Sequence, residues 1–301
     1  MINRNDARMR DPFVVLWNDT YYVYGTYIEG TGNANEDAAH IFVYKSKDMK
    51  VFENAKSVFH LSDNVLWAPE VHLYKGKFYL FVSIIRSNGL RGVQIAVSDT
   101  PDGLFLPISD EVGTPLSQSC IDGTLYVENG VPYHVYSHDW PDCYNAEKDC
   151  YVGEICVIQM TDDLKETVGE PFVLFKSDEI STSAGKPSKN RLNGKNVLRY
   201  GSDGPFIKKL KNGTLFLIWS PYPNSEKYVI CSAISKNGSI FGKWEHNPNY
   251  LFDENGGHGM FFTDRDGMEK LVLHIEPEPK ERIRVLEIEE HDNEIRILRE
   301  C

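Results

Sequence analysis

The chain has 301 residues, which is enough to bury one large hydrophobic core, and we expect a single domain over residues 1–301. Aromatic residues make up 12% of the sequence, and Gly and Pro recur throughout, a composition typical of an all-β protein with many turns. The formal net charge of −12 disfavours nucleic acid and anionic membranes as partners, because binding to either needs clustered Lys and Arg.

Five segments share one pattern: an apolar strand, a tight polar turn, and a second strand rich in aromatic residues. In chain order they are "DPFVVLWNDTYYVYGT" from Asp11, "PEVHLYKGKFYLFVS" from Pro69, "DGTLYVENGVPYHVYSH" from Asp122, "DGPFIKKLKNGTLFLIWS" from Asp203 and "HGMFFTDRDGMEKLVLHIE" from His258. Asn, Asp and Gly adopt positive φ at low cost, so these turns predict β-hairpins.

A third strand follows most of these hairpins, as in "IFVYKSKDMKVF" and "VQIAVSDTPDGLF". Repeated units of three or four strands are typical of propeller blades, so the predicted fold class is all-β, a five-bladed β-propeller. A β-sandwich is the alternative, but it does not require one hairpin to recur. The polar stretch "STSAGKPSKNRLNGKN" in the longest interval predicts an exposed loop.

The sequence shows no signal for export or for membrane insertion. Its first residues, "MINRNDARMRDPF", lack the apolar segment of a secretory signal, and nothing downstream approaches the ~18 apolar residues of a membrane span. The six cysteines form no metal-like CxxC pair, so we expect free thiols and a cytoplasmic location. A disulfide between Cys143 and Cys150 is the alternative.

The residues that open the five first strands are predicted to form a ring around one end of the propeller axis. They are Asp11, Glu70, Asp122, Asp203 and His258. Like charges in a low-dielectric funnel repel one another and raise pKa values, so such a ring needs a ligand, a cation or a reaction. The simpler alternative is that Asp-Gly and Asp-Pro merely begin turns.

The ordered set of motifs resembles glycoside hydrolase family 43, the five-bladed propellers that include arabinofuranosidases, xylosidases and arabinanases. The resemblance covers nearly the whole chain and rests on "RDPFV", "LWAPEVHLYKGKFYLF", "CIDGTLYVENGVPYHVYSHDW", "SDGPFIKKLKNGTLFLIWS" and "GGHGMFFTDRDG". It implies inverting hydrolysis of a glycosidic bond by three carboxylates. Asp11 matches the general base, Asp122 the carboxylate that orients the acid and raises its pKa, and Asp203 the general acid.

Asp203 departs from the family pattern, because most members place Glu at the general-acid position. Aspartate is one methylene shorter, and proton donation needs a heavy-atom separation of roughly 2.6–3.2 Å. Either the backbone lies closer to the substrate here, or Asp203 acts through a water molecule, or the activity is weak.

The resemblance also implies contacts with a small oligosaccharide. Trp67 in "LWAPE" resembles the family's substrate-facing tryptophan, with core packing as the alternative. Glu70 is expected to contact a sugar hydroxyl or to support the site from behind. His138 and Trp140 are further candidates for substrate contact.

Charge neutralisation and a bound cation are two more implications. Arg282 or Arg284, in "ERIRV", resembles a late arginine that neutralises part of the acidic ring, which suits a guanidinium because it binds carboxylates through a planar fork. His258 matches the family histidine at the axis, which often holds a hydrated cation, commonly calcium. The alternative is a histidine bonded only to water or carboxylates. No cofactor is needed for the chemistry itself.

The predicted function is an exo-acting glycosidase that releases terminal pentose from short oligosaccharides, most directly an α-L-arabinofuranosidase. A β-xylosidase is the rival within the same class, and an endo-arabinanase, which needs an open groove, is less favoured. A catalytically degenerate propeller that binds carbohydrate is the alternative from another class. The oligomeric state and the linkage do not follow from the sequence.

Overall fold

The first ten strands, in chain order, are β1 Ile2–Asn3, β2 Arg10–Trp17, β3 Thr20–Thr26, β4 His40–Ser46, β5 Val51–Phe52, β6 Lys56–His60, β7 Trp67–Tyr74, β8 Lys77–Ile85, β9 Arg91–Ser98 and β10 Leu106–Pro107; β1 and β5 pair with each other as a separate two-stranded sheet, and the other eight belong to the first two blades. Those of the third blade and its insertions are β11 Cys120–Glu128, β12 Val131–His138, β13 Tyr144–Asn145, β14 Cys150–Val152, β15 Glu154–Met160, β16 Thr167–Lys176, β17 Lys186–Lys189 and β18 Asn196–Tyr200. Those of the last two blades are β19 Asp203–Lys209, β20 Leu215–Ser220, β21 Cys231–Ser235, β22 Trp244–His246, β23 Gly256–Thr263, β24 Glu269–Ile275, β25 Arg282–His291 and β26 Glu294–Glu300.

This computed structural model describes residues 1–26, 28–29, 34–109, 113–180, 185–223, 227–276 and 281–301. One short helix, α1, covers Ala34–Asp37, and a 3₁₀ turn covers Trp140–Asp142. Neither has the length or the apolar composition that a helix needs to cross a bilayer.

Five four-stranded sheets of the described chain form the blades, which confirms the predicted five-bladed β-propeller. The strand orders are β2-β3-β4-β6, β7-β8-β9-β10, β11-β12-β15-β16, β19-β20-β21-β22 and β23-β24-β25-β26. The first strand of each blade is innermost, and these five strands contact one another in a closed ring. Within each blade, neighbouring strands are antiparallel, as a chain of hairpins requires.

The predicted hairpin turns are present in the first three blades. Asn18 and Asp19 both have positive φ between β2 and β3, and Lys75 and Gly76 do so between β7 and β8. Residues 129 and 130 repeat this pattern between β11 and β12. Two positive φ values in a two-residue loop match the right-handed twist of the flanking strands.

The polar insertion in the third blade forms a sheet rather than the exposed loop that its composition predicts. Strands β13, β14, β18 and β17 make an additional four-stranded sheet, in which β14 and β18 run parallel. The prediction was wrong for residues 186–189 and 196, because they pair as strands, while residues 181–184 lie outside the described chain.

All six cysteines are free, which confirms the expected thiols and excludes the alternative disulfide between Cys143 and Cys150.

The propeller closes without exchange of strands between the two chain ends. The last blade consists of the four consecutive strands β23–β26, so side chains and one backbone hydrogen bond, from Met9 N–H to the Glu281 carbonyl at 3.2 Å, make the junction with the first blade. Arg8 Nε lies 2.9 Å from Glu281 Oε2, and an Arg4 guanidinium nitrogen donates to the carbonyl of Cys301 at 2.6 Å. Val14 of the first blade and Met260 of the last lie in one hydrophobic cluster, which seals this junction.

A β-bulge interrupts the inner strand of every blade near its start, where the pairing with the second strand shifts register. One residue of each bulge has positive φ, and these residues are Asp11 (48°), Ala68 (49°), Asp122 (57°), Gly204 (57°) and His258 (47°). Glycine adopts such angles without strain and aspartate at low cost, whereas Ala68 and His258 need surrounding contacts to hold them there.

A hydrogen bond from each bulge to the preceding blade provides that support. The bonds are Asp11 N to His274 Nδ1 (3.1 Å), Ala68 N to Thr26 Oγ1 (2.8 Å), Asp122 N to Ser83 Oγ (2.9 Å), Gly204 N to Asp122 Oδ2 (2.9 Å) and His258 N to Ser220 Oγ (2.8 Å). In four of them the acceptor lies on the second strand of the preceding blade. The five bonds therefore run around the axis and join each blade to the one before it.

We expect Ser220→Ala to lower the free energy of unfolding by about 1–3 kcal/mol, because it leaves the buried backbone N–H of His258 without an acceptor. Urea denaturation followed by circular dichroism measures the change. Ser117→Ala is the matched control, since Ser117 is exposed, and we expect it to stay within about 0.5 kcal/mol of the parent. Equal stabilities for the two variants would contradict a supporting role for this bond.

Candidate active site

The bulges bring acids from three blades to one cavity. Asp11, Asp122 and His258, each the positive-φ residue of its bulge, line a cavity of about 220 Å³ at the start of the inner strands. Asp203 lines the same cavity from the position before Gly204. The structure thus places the three predicted carboxylates together, although Asp203 occupies the blade position that Arg10 holds in β2.

Glu70 does not belong to this ring, which corrects its predicted place there. The bulge position of the second blade is Ala68, and Glu70 follows two residues later, where its side chain is buried. Glu70 Oε2 lies 2.9 Å from His72 Nε2, behind the cavity wall. From there, its negative charge helps to raise the pKa of His258.

Asp11 is held as a carboxylate by its neighbours. Thr26 donates its hydroxyl to Oδ2 at 2.6 Å, and Oδ1 lies 3.2 Å from His258 Nδ1 and 4.0 Å from Arg10 Nε. Burial alone would raise the pKa of Asp11, but the positive charges of His258 and Arg10 outweigh burial and lower it to about 2. Asp11 is therefore ionised from mildly acidic to alkaline pH and is able to accept a proton.

Asp203 shows the opposite shift in the same cavity. Burial raises its pKa, and repulsion by the carboxylates of Asp122 and Asp139 raises it further, to about 7. The hydroxyl of Tyr228 donates to Asp203 Oδ2 at 3.4 Å. A substantial fraction of Asp203 therefore carries a proton at neutral pH and is able to donate it.

Asp122 connects the other two acids. Its Oδ2 accepts the N–H of Gly204 at 2.9 Å and lies 3.8 Å from His258 Nδ1. Because Gly204 directly follows Asp203, this hydrogen bond fixes the backbone that carries Asp203. Burial raises the pKa of Asp122, and the charge of His258 opposes that effect. Asp122 is thus placed to orient Asp203 and to repel its ionised form.

His258 is buried, with acids on one side of its ring and Gly204 on the other. Burial disfavours the imidazolium, but Asp11 and Asp122 outweigh it and raise the pKa of His258. A Cβ atom at position 204 would lie 2.7 Å from His258 Cγ, so this close approach requires glycine. The calcium ion expected near His258 stays a prediction.

Two further cavities adjoin the central one. Trp67 and Thr26 border both the central cavity and a neighbouring cavity of about 290 Å³. Asp203 borders a smaller cleft of about 60 Å³ together with Trp140 and Lys186. Trp67 therefore lies beside Thr26, which donates a hydrogen bond to Asp11, and Trp140 lies beside Asp203. Both predicted tryptophans are thus close to the carboxylates. Aromatic faces in these positions suit stacking against sugar rings.

His138 does not line the central cavity, and its contact with substrate stays a prediction. Its Nδ1 donates to Glu154 Oε2 at 3.0 Å, and its Nε2 lies 3.4 Å from Asp142 Oδ1. The ring lines a separate cavity of about 260 Å³ that Cys143 also borders.

The late arginines do not neutralise the acidic ring, which corrects another prediction. Arg282 and Arg284 lie on β25, the third strand outward from the axis, and neither lines the central cavity. Arg284 Nη2 pairs with Glu300 at 2.7 Å on the outermost strand. Arg10 contributes the positive charge at the site instead, because it lines the cavity beside Asp11 and also lies 3.5 Å from Glu276.

Three residues that shape the site received no assignment from the sequence: Arg10, Asp139 and Tyr228. Arg10 and Asp139 lie inside the quoted motifs "RDPF" and "SHDW", directly next to residues that were assigned. Burial raises the pKa of Asp139 to about 6. The guanidinium of Arg91 opposes this shift, and the charge of Asp122 adds to it. Tyr228 lies outside every repeated motif, so no local pattern marks it.

Comparisons with known proteins agree with this architecture. The profile of the Glycosyl hydrolases family 43 matches residues 5–290. The crystal structure of an endo-arabinase from Bacteroides thetaiotaomicron VPI-5482 superposes with a TM-score of 0.83 at 31% identity, covering 98% of this chain and 99% of that chain.

Two curated relatives from Humicola insolens match more distantly. "Alpha-L-arabinofuranosidase 43" is 19% identical over 91% of this chain and 55% of its own length. "Xylosidase/arabinosidase 43A" is 25% identical over 48% of this chain and 49% of its own length. The chain thus spans about half the length of these curated relatives. On the profile match and the endo-arabinase likeness together, the chain belongs to glycosyl hydrolase family 43.

Proposed function

We propose that this glycoside hydrolase works by inversion, with Asp11 as general base, Asp203 as general acid and Asp122 as the group that orients Asp203. One observation carries the proposal: two acids in one cavity have opposite pKa shifts, to about 2 for Asp11 and to about 7 for Asp203. Inverting hydrolysis needs one carboxylate and one carboxylic acid at the same pH.

The proposed reaction is a single displacement. A water oxygen attacks the anomeric carbon while Asp11 takes one of its protons, the bond from that carbon to the glycosidic oxygen breaks, and Asp203 protonates the departing oxygen. Afterwards Asp11 is protonated and Asp203 ionised, and exchange with solvent restores both. A base with a pKa of about 2 is weak, so positioning of the water contributes more than basicity does.

Direct donation by Asp203 is the favoured way for its short side chain to act. Its position immediately before the Gly204 bulge, whose N–H is held by Asp122, supports a close approach of this backbone to the substrate. Tyr228 gives the carboxyl a second contact on the cavity wall.

For the substrate, we infer a terminal pentose of a short oligosaccharide, most directly α-L-arabinofuranose, with β-xylose as the second choice. Support comes from Trp67 and Trp140 beside the acids and from the likeness to relatives named as arabinofuranosidase and xylosidase. An endo-arabinanase is the second candidate. Adjoining cavities on both sides of the acids, and the similarity to an endo-arabinase, favour a substrate that continues past the cleaved bond.

Product analysis tests the substrate. We expect release of arabinose alone, without intermediate oligomers, from arabino-oligosaccharides, and faster cleavage of nitrophenyl α-L-arabinofuranoside than of the β-xyloside. Proton NMR of the first product should show inverted anomeric configuration. A ladder of oligomers from linear arabinan would establish the endo alternative, and a retained configuration would overturn the roles given to Asp11 and Asp203.

Substitution of the acids tests their roles. We expect Asp11→Asn to lower kcat about 10²–10⁴-fold on all substrates, because it removes the base. Asp203→Asn should impair natural oligosaccharides far more than nitrophenyl glycosides, since nitrophenolate leaves without a proton. Asp99→Asn, at an exposed carboxylate, is the control for loss of one charge.

If the parent binds arabino-oligosaccharides in calorimetry but cleaves none of these substrates, the degenerate carbohydrate-binding propeller replaces the enzyme.

The pH dependence follows from the two pKa values. Asp11 must be ionised, so kcat/KM falls only as pH approaches 2, and Asp203 must be protonated, so kcat/KM falls about tenfold per pH unit above about 7. Asp139→Asn should move the alkaline limb to lower pH, because it removes a charge that raises the pKa of Asp203. An unchanged limb in this variant, with Asp99→Asn as the reference, would exclude that contribution.

A further inference from the structure

Three potential metal ligands converge where β12 meets the 3₁₀ turn, outside the central cavity. The ligand atoms of His138, Asp142 and Cys143 all lie within 4.8 Å of one another, and His138 Nε2 is 3.4 Å from Asp142 Oδ1. In a tetrahedral zinc site with Zn–N and Zn–O bonds of about 2.0–2.1 Å, those two atoms are about 3.4 Å apart. The nitrogen and oxygen already stand at the separation that zinc requires.

Neighbouring groups hold two of these side chains in the orientation of ligands. His138 donates its other ring nitrogen, Nδ1, to Glu154 Oε2 at 3.0 Å, which turns Nε2 toward Asp142. Asp142 Oδ2 accepts the backbone N–H of Ser119 at 2.8 Å, so Oδ1 faces His138 Nε2, and an ion bound between them would replace that contact. In protein metal sites, a ligating histidine commonly donates its other ring nitrogen to a carboxylate, and a ligating carboxylate commonly accepts a hydrogen bond.

We propose that His138, Asp142 and Cys143 bind a zinc ion, with water as the fourth ligand. Imidazole, thiolate and carboxylate together favour zinc over calcium, which prefers oxygen ligands alone. Binding replaces the thiol proton of Cys143 with a zinc–sulfur bond and the Nε2 proton of His138 with a zinc–nitrogen bond, and both protons pass to solvent. His138 and Cys143 border a cavity of about 260 Å³ through which an ion could enter, and Asp142 lies outside its lining.

A competing ligand set, His138, Glu154 and Cys156, is less suitable. Its nitrogen and oxygen stand 3.0 Å apart in a hydrogen bond, and its thiol, Cys156, is only 2% exposed. An ion bound there would displace the hydrogen bond that orients His138.

The site lies on the same turn as two groups of the central cleft. Trp140 borders the cleft at Asp203, and Asp139 raises the pKa of Asp203. Because Asp142 and Cys143 complete this turn, a bound zinc ion fixes the backbone that carries both. Its role is therefore to position the turn rather than to take part in hydrolysis.

Cobalt and zinc titrations of the reduced, metal-free protein test the proposal in a Cys301→Ser background, since Cys301 is the exposed thiol. We expect one equivalent of Co²⁺ to give a thiolate charge-transfer band in the near ultraviolet, and one zinc ion per chain by calorimetry. Cys143→Ser should remove the band, whereas the matched variant Cys156→Ser should keep it. Glu154→Gln should keep the band and weaken zinc binding by about 10–100-fold.

Three results would overturn the site: no band in the parent, an unchanged band in Cys143→Ser, or loss of the band in Cys156→Ser alone. The cobalt titration of the parent protein alone shows whether a thiolate binds the metal. Near-ultraviolet circular dichroism verifies that each variant is folded before its metal binding is compared.

Discussion

The hydrogen bond from each bulge N–H to the preceding blade is the interaction on which the site depends. A regular inner strand would alternate its side chains between the two faces of its own sheet, whereas a bulge with positive φ redirects one residue per blade. Such backbone costs of order 1–3 kcal/mol for most non-glycine residues and less for aspartate, and it persists where neighbours fix it. Ser83, Ser220 and His274 do so for Asp122, His258 and Asp11.

Fixed geometry then allows unequal electrostatics within one cavity. The first and last blades place Arg10 and His258 beside Asp11. The third blade places the negative charges of Asp122 and Asp139 near Asp203. Two aspartates of the same intrinsic acidity therefore separate by several pKa units, because the chain distributes cations to one side of the cavity and anions to the other.

The blades could be predicted from the sequence because their hairpins depend on local chemistry. Turn residues such as Asn18 and Asp19 take positive φ cheaply, and aromatic strands follow them. Asp11, Asp122 and His258 were aligned correctly because each opens its repeat at the bulge.

The place of Glu70 was mispredicted although a local pattern marks it. All five blades share the bulge, and aligning Pro69 with Pro12 puts Ala68 at the position of Asp11. Other features depend on contacts distant in sequence, so no local pattern revealed them. Arg284 finds Glu300 on an outer strand instead of the acidic ring. The strands of the insertion are short and polar, and β14 pairs with β18 across an intervening part of the third blade.

The closure of the propeller has a consequence for the ionisation of Asp11. The first and fifth blades meet without a shared strand, and the contacts of Asp11 with His258 and His274 cross that junction. Parting the two blades would take away the imidazolium that stabilises the Asp11 carboxylate while leaving the ladder of each blade intact. The closed ring of blades thereby determines the charge of one side chain, and a gap between the first and fifth blades would raise the pKa of Asp11 before any sheet unfolds.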